Sequence, residues 1–388
     1  MKRIILVVTL MVVFAKLFGY FEYGVGMGFA NNYITKNEKL DSVKGTNKFE
    51  IDIDLRHGFQ LSHNNPFYLI YDLKTGYGIQ IDEYAPFRTR LDRTIVEYGD
   101  FKAKISIWNL CITPGVMYKP NDKAKVSATF GWVGEHVSAE IEEEHGLFLE
   151  NYEINLKAFT FRLSGDIDLS NSSAILMLGT NFDHFSWVPD QKYNVDKEIG
   201  NIFEYSLRAG MKFDDYPIYV FCVLSQELSN SSHRVLIGNG TYSYYDKFDS
   251  KSNTVYYGPE LVFLPFPKLQ FSASVGLMNI TDKNKQTSPI SENNHSSKTK
   301  EQGSIVELAT EYNMNISSNG FIIGLKYLNS TDYAYKSESM LYHGIFTYFR
   351  WENAQRRNNN RIPYLSSGMG KNIFNTGIPS NGSIFKYD

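Results

Sequence analysis

Apolar and polar residues alternate along most of this chain with a period of two residues. Between residues 49 and 56 the order is Phe-Glu-Ile-Asp-Ile-Asp-Leu-Arg, and similar alternation fills residues 67–81 and 203–213. Successive side chains of a β-strand point to opposite faces of the sheet, whereas a helix repeats every 3.6 residues. The pattern therefore predicts β-strands that have one apolar face and one polar or small-residue face.

The length of the alternating segments narrows the class of β-protein. They run for about ten to fifteen residues, whereas strands of globular proteins typically have five or six. A strand that crosses a lipid bilayer at a tilt needs about nine to eleven residues. Strand length thus favours membrane-spanning strands over a soluble sandwich.

The connections between these segments fall into two kinds that alternate along the chain. Short ones, rich in Asn, Asp, Pro, Ser and Gly, lie at residues 63–66, 119–123, 168–173, 214–217, 265–268 and 317–320. Long polar ones lie at about 31–47, 83–100, 136–150, 188–200, 231–252, 281–302 and 331–337. Such alternation predicts an up-and-down barrel of about fourteen strands, with all short turns at one rim and all long loops at the other.

The fourth predicted strand is irregular. Its apolar positions change parity between Ile107 and Leu110, which predicts a β-bulge near Trp108 and Asn109. Pro114 lies inside the same strand, where it removes one hydrogen-bond donor from the ladder.

Composition adds a leader and excludes several other classes. Lys2 and Arg3 precede an apolar run to Ala15, which predicts a signal peptide over residues 1–19 rather than a membrane anchor. The net charge of −3 gives no nucleic-acid footprint, and two cysteines are too few for a disulfide scaffold. With 15% aromatic residues, the chain is too aromatic to be disordered.

The leader, the alternation, the aromatic strand ends and the turn order together resemble bacterial outer-membrane porin-like β-barrels over about residues 18–351. The resemblance implies an all-β fold, an antiparallel transmembrane barrel over residues 20–351, in the bacterial outer membrane. It implies outer-membrane lipid and the barrel-assembly machinery as partners, and leaves the oligomeric state open. Such barrels often end at an aromatic residue of the last strand. Here a polar tail over residues 352–388 follows, which lies in the periplasm or enters the lumen.

A barrel in lipid turns its apolar face outward and its charged face toward the lumen, because charge facing lipid is costly. The residues predicted to face the lumen are Glu50, Asp52, Asp54, Arg56, Asp72, Lys74, Lys102, Lys104, Glu204, Arg208, Lys212, Glu307, Glu311 and Lys326. A fourteen-strand barrel is too wide for its own side chains to fill, so a wet lumen is expected.

The sequence therefore predicts a porin-like channel for passive diffusion of small hydrophilic solutes. One alternative is a structural or adhesion protein of the cell surface with a closed lumen. A transporter of hydrophobic compounds is a weaker alternative, because the lumen face is charged and no plug segment precedes the first strand.

Catalytic and metal sites find little support. No nucleophile elbow, phosphate loop or Cys-x-x-Cys is present, so no enzyme activity and no cofactor are predicted. His136 and His145 flank several glutamates, but a solvated acidic loop explains them better than a metal site. Asp183 and His184 are adjacent near a strand end without a visible partner acid pair.

Overall fold

The computed structural model describes residues 19–35, 43–62, 65–84, 87–91, 94–98, 101–143, 149–171, 173–189, 198–213, 216–238, 243–290, 294–316, 319–335 and 338–353. The predicted leader lies outside these residues except for Gly19, and the tail lies outside them beyond Asn353. Within the described residues no helix is long and apolar enough to cross a membrane.

Sixteen β-strands make up the described structure. They are β1 Gly19–Thr35, β2 Val43–Gln60, β3 Phe67–Tyr84, β4 Phe87–Leu91, β5 Thr94–Tyr98, β6 Phe101–Asn121, β7 Ala124–Glu143, β8 Leu149–Asp168, β9 Ala174–Pro189, β10 Glu198–Lys212, β11 Ile218–Gly238, β12 Ser243–Phe266, β13 Leu269–Thr287, β14 His295–Ile316, β15 Asn319–Tyr335 and β16 Glu338–Asn353.

Fourteen of these strands form one closed antiparallel barrel. Each strand pairs with its neighbour along the chain, and β1 pairs with β16 to close the ring. The two remaining strands, β4 and β5, form a separate small hairpin between β3 and β6. Closure removes free sheet edges, so the backbone groups of the described barrel strands can pair within the wall. The predicted fourteen-strand up-and-down barrel is confirmed.

The connections at the two rims differ, and the long ones contain more strand than the sequence suggests. The predicted loops at 231–252 and 281–302 are mostly hairpin arms, because β11 runs to Gly238, β12 starts at Ser243, β13 runs to Thr287 and β14 starts at His295. Below, "lower" means toward the short turns and "upper" means toward these long hairpins. In an outer-membrane barrel the short turns face the periplasm, and the rim with the long hairpins is the extracellular one.

Strand β6 has no bulge at Trp108 and Asn109, which corrects the prediction. Its register against both β3 and β7 runs without a shift through these residues. Pro114 is exposed on the outer face, and Ile112 and Gly115 on either side of it keep the same register against β7. The apparent change of phase therefore has another cause, namely that the surroundings of the strand differ between its upper and lower ends.

Candidate functional site: the lumen and its wall

The outer face of the barrel carries a band of large apolar side chains. On β12, for example, Leu261 and Tyr257 are 45% and 44% exposed, and on β7 Phe130 is 64% exposed. We call this band the apolar belt. It continues around the barrel on the strands' outward positions, for instance Met27, Ile53, Leu69, Ile112, Phe159, Leu178, Phe203, Val220, Leu277, Leu308, Leu325 and Ile345.

Aromatic rings collect at the lower edge of the apolar belt. The ring centroids of Tyr23 and Trp351 are 5.1 Å apart across the β1–β16 closure, and those of Phe67 and Tyr118 are 4.8 Å apart. Aromatic side chains mark the membrane–water interface of transmembrane barrels. A closed sheet with an apolar outside is the only sheet that lipid tolerates.

This chain is an outer-membrane β-barrel.

The inward positions of the barrel's lower half carry a ring of charged side chains, which we call the charged ring. Its acidic members are Glu22, Glu50, Asp52, Asp54, Asp72, Asp166, Asp183, Glu204, Glu260, Glu307, Glu311 and Glu352; its basic members are Arg56, Lys74, Lys125, Arg162, Arg208, Lys326 and Arg350. Acidic side chains outnumber basic ones in this set. Its electrostatic potential therefore favours cations over anions.

Ion pairs between nearby strands organise the charged ring. Arg56 Nε lies 2.6 Å from Asp72 Oδ1, and Arg162 forms two hydrogen bonds with Asp183, at 2.5 and 3.2 Å. Such fork-like contacts fix the direction of the guanidinium groups. The pairs follow from the ladder, because Arg56 stands directly opposite Asp72, and Arg162 directly opposite Asp183.

Two further contacts reach past a neighbouring strand. Arg208 Nη2 on β10 lies 2.7 Å from Glu260 Oε1 on β12, and both side chains are at most 1% exposed. Further round the ring, the Tyr348 hydroxyl on β16 donates a 2.5 Å hydrogen bond to Glu311 on β14. Gly324 makes room for the Tyr348 ring, because a β-carbon at Gly324 would overlap it. Side-chain contacts of the charged ring thus join strands that are not direct neighbours in the sheet.

The structure places most of the predicted lumen residues on the inner side. These are Glu50, Asp52, Asp54, Arg56, Asp72, Lys74, Glu204, Arg208, Glu307, Glu311 and Lys326, together with Lys212, which is exposed at the lower end of β10.

Lys102 and Lys104 are a correction, because they lie on the outer face. They alternate with the buried Ala103 and form exposed ion pairs with Glu83 at 3.3 Å and Glu140 at 3.3 Å. Their positions near the upper end of β6 are above the apolar belt, where an outward charge meets water rather than lipid. The prediction failed because it assumed that every outward position faces lipid, including those above the apolar belt.

Several members of the charged ring were not predicted. Arg162, Asp183, Glu260 and Arg350 each stand inside an otherwise apolar or aromatic stretch of strand. The signal was therefore present, as a single charge at an inward position among outward apolar residues. The other missed members are Glu22, Lys125, Asp166 and Glu352.

Above the charged ring, the inner face of strands β6–β10 becomes apolar. On β9 the inward positions change from Asn181 and Asp183 to Phe185 and Trp187. We call the apolar residues of this upper inner surface the apolar wall, which the inward Asn109 and Glu135, directly opposite each other, interrupt. Its described members are Ala103, Ile105, Ile107, Cys111, Val133, Val137, Ala139, Ile141, Ala158, Phe185, Trp187 and Ile202.

The rest of the upper lumen is mostly polar. On β12 the inward residues above Tyr256 are Thr254, Ser252 and Ser250, and β3 presents Gln80. A smaller apolar cluster of Val223, Tyr256 and Ile305, packed with Met278 and Phe346, lies just above the charged ring on β11–β16. The upper lumen is therefore two-sided, with the apolar wall on one side and hydroxyl and amide groups on the other.

The described residues contain no group of three or more His, Cys, Asp or Glu side chains that could hold a metal ion. Cys111 is buried on the inner side, Cys222 is exposed on the outer side, and both are free thiols. The side chains of His184 and Asn201 form a 2.8 Å hydrogen bond on the outer face, whereas Asp183 points inward to Arg162. The adjacent Asp183 and His184 therefore do not act on one site.

No protein-family model matches the chain, and neither does any curated protein. Several solved structures are similar to the chain at low sequence identity. The Pseudomonas putida toluene transporter TodX covers 86% of this chain and 89% of its own, at 9% identity and a TM-score of 0.44. The Ralstonia pickettii toluene transporter TbuX covers 87% and 90%, at 8% identity and a TM-score of 0.42. The transport unit of the Escherichia coli autotransporter AIDA-I covers 89% and 96%, at 9% identity and a TM-score of 0.41.

Proposed function

We propose that this barrel is an outer-membrane channel for small apolar or amphipathic solutes, which enter along the apolar wall of its lumen. The apolar wall is the observation that carries the proposal. A channel for hydrophilic solutes alone has no use for an inward surface this rich in Ile, Val, Phe and Trp, even though Asn109 and Glu135 interrupt it. Apolar surface in a wet lumen instead attracts apolar solutes, at roughly 25 cal/mol per Å² that is removed from water.

The two-sided lumen suits a solute with one polar group. Binding sites for small molecules are mostly apolar, with a few polar groups that fix orientation. A bound solute would lay its apolar part against Ile107 and Val137 and turn a hydroxyl or carboxyl toward Ser252 and Thr254 across the lumen. The charged ring below would offer no favourable contacts to the apolar part of the solute. Passage through this ring would therefore limit the rate of transport.

Binding of an uncharged fluorescent naphthylamine probe to the reconstituted full-length barrel tests this proposal. Ile107→Asp and Val137→Asp each place a charge on the apolar wall, so each should weaken probe binding about tenfold. Ser250→Asp is the matched control, because it adds the same charge to the polar side of the same lumen at a position with no role in the proposed site. Equal binding by all three variants and the parent would refute a role for the apolar wall.

A hydrophilic diffusion pore is the second candidate, and the charged ring favours it. That function requires a large, stable conductance with cation selectivity in planar bilayers, because acidic groups are in excess. It also requires that Ile107→Asp leave solute flux unchanged or raised. If neither probe binding nor conductance is detected, a surface protein with a closed lumen becomes the better account.

A further inference from the structure

The outer face of β11–β14 changes character above the apolar belt. On β12 the outward residues change from Leu261, Tyr257 and Val255 to Asn253 and then to Lys251. The same strand-by-strand change brings further cations to the outer face at this level. They are Arg234 on β11, Lys247 and Lys251 on β12, Lys283 and Lys285 on β13, and Lys298 and Lys300 on β14.

Three of these lysines stand directly opposite one another on consecutive strands. Lys251 is the ladder partner of Lys283, and Lys283 is the ladder partner of Lys298. We call these three residues the lysine row. Like charges directly opposite each other on a sheet destabilise it. All three side chains are exposed, and none forms an ion pair with another of the described residues.

The nearest outward acid on this face does not neutralise the row. Asp249 accepts a 3.0 Å hydrogen bond from Lys247, and this contact lowers the pKa of Asp249. Asp249 stands opposite Lys285, which is not part of the row. A surplus of positive charge therefore remains on the outer surface of the hairpins.

A groove of about 800 Å³ runs over the lysine row. Four outward residues, Lys285, Asn230, Ser232 and Ser296, line it beside the three lysines, and Asp249 and Ile199 also border it. Ammonium, hydroxyl and amide groups are the donors that bind phosphate oxygens. The groove is therefore a concave, donor-rich surface with a net positive charge.

We propose that the lysine row binds the phosphate groups of lipid headgroups in the outer leaflet of the outer membrane. The row lies on the side of the barrel that faces lipid. Between it and the apolar belt, the outward polar residues are Asn253 on β12, Thr281 and Asn279 on β13, and Lys300, Gln302 and Ser304 on β14. Phosphorylated headgroups occupy this polar level of the bilayer, and basic clusters beside a membrane span attract anionic lipid. The phosphates would supply the negative charge that the three opposed lysines lack.

Binding of fluorescent lipopolysaccharide to the full-length barrel in neutral detergent tests this proposal. The triple variant Lys251→Ala, Lys283→Ala, Lys298→Ala should lose affinity by about a hundredfold, at roughly fivefold per lysine. Binding by the parent should weaken as salt is added, because exposed charges are screened. The control variant is Lys119→Ala, Lys123→Ala, Lys268→Ala, which removes three lysines near the lower rim and should bind like the parent.

Heat-dependent migration on gels confirms that each variant is a folded barrel before its affinity is measured. The proposal fails if the folded triple variant binds as tightly as the parent, or if dephosphorylated lipopolysaccharide binds equally well. It also fails if inorganic phosphate at an equal phosphate concentration displaces the lipid, because the site would then be for a free anion. None of these outcomes depends on which solute the lumen carries.

Discussion

The two halves of strand β6 follow opposite rules. In the lower half, Ile112 points outward to lipid and Thr113 points inward. In the upper half, Lys104 points outward and Ile105 points inward. The backbone register does not change between Lys104 and Thr113, so the difference comes from the surroundings. Lipid surrounds the lower half and water surrounds the upper half, which frees the outer face for charge and leaves the inner face apolar.

This contrast means that one side-chain pattern can have two meanings along a single strand. A charge on the inner face of the lower half is buried among other charges, whereas a charge on the outer face of the upper half is solvated. The energetic consequences should therefore differ by several-fold for chemically similar changes. Three substitutions test the contrast, beginning with the one that should cost most.

Arg208→Met should destabilise the barrel by about 3–5 kcal/mol, because it leaves the buried Glu260 without its cation. Unfolding in urea with the protein in lipid vesicles measures this free energy. Glu260→Leu in the same chain should restore most of the loss, since it removes the unpaired charge. A single variant as stable as the parent would mean that water reaches Glu260.

Ile112→Arg should cost about 2–4 kcal/mol and slow assembly, because it exposes a cation to lipid in the apolar belt. Ser106→Arg changes the same face of the same strand higher up, where the expected cost is about 0–1 kcal/mol. Folding yield into vesicles, followed by gel mobility, compares the two. Equal losses would place Ser106 inside the bilayer and move the upper limit of the belt.

Lys104→Met should change the free energy of unfolding by less than about 1 kcal/mol, although it also breaks an ion pair. The Lys104 and Glu140 side chains are 51% and 54% exposed and 3.3 Å apart, so water already solvates both charges. The same urea titration gives the value. A loss as large as that expected for Arg208→Met would contradict the distinction between the two halves.

The fold was predictable because a membrane barrel repeats one rule on every strand. The alternation, the six short turns and the even strand number are local properties that survive without knowledge of the partner strands. Strand ends were less predictable. Ser, Asn and Lys near Lys251 and Lys283 suggest loop, but ladder hydrogen bonds hold them in hairpin arms. Sequence alone does not reveal that a neighbouring arm is present.

The lumen was only half predictable. Inward charges such as Asp52 and Arg56 stand out because lipid makes the outer face uniform, and the same logic fails where lipid ends. The contact between Arg208 and Glu260 skips a strand, and no local pattern in the sequence links the two residues. The apolar wall was hidden for a related reason, because Ile105 and Ile107 resemble lipid-facing residues when the level of the membrane is unknown.

The sheet structure of the hairpin arms also affects how easily proteases can cleave the exposed part of this protein. Lys283, Lys298 and Lys300 are exposed, yet each lies in β13 or β14 with ladder partners on neighbouring strands. A protease must draw several residues of extended chain into its cleft, so these bonds must open first. Cleavage after these lysines would then follow the rare opening of the sheet rather than side-chain exposure. The chain can thus display many basic residues to its surroundings and still be a slow substrate for trypsin-like enzymes.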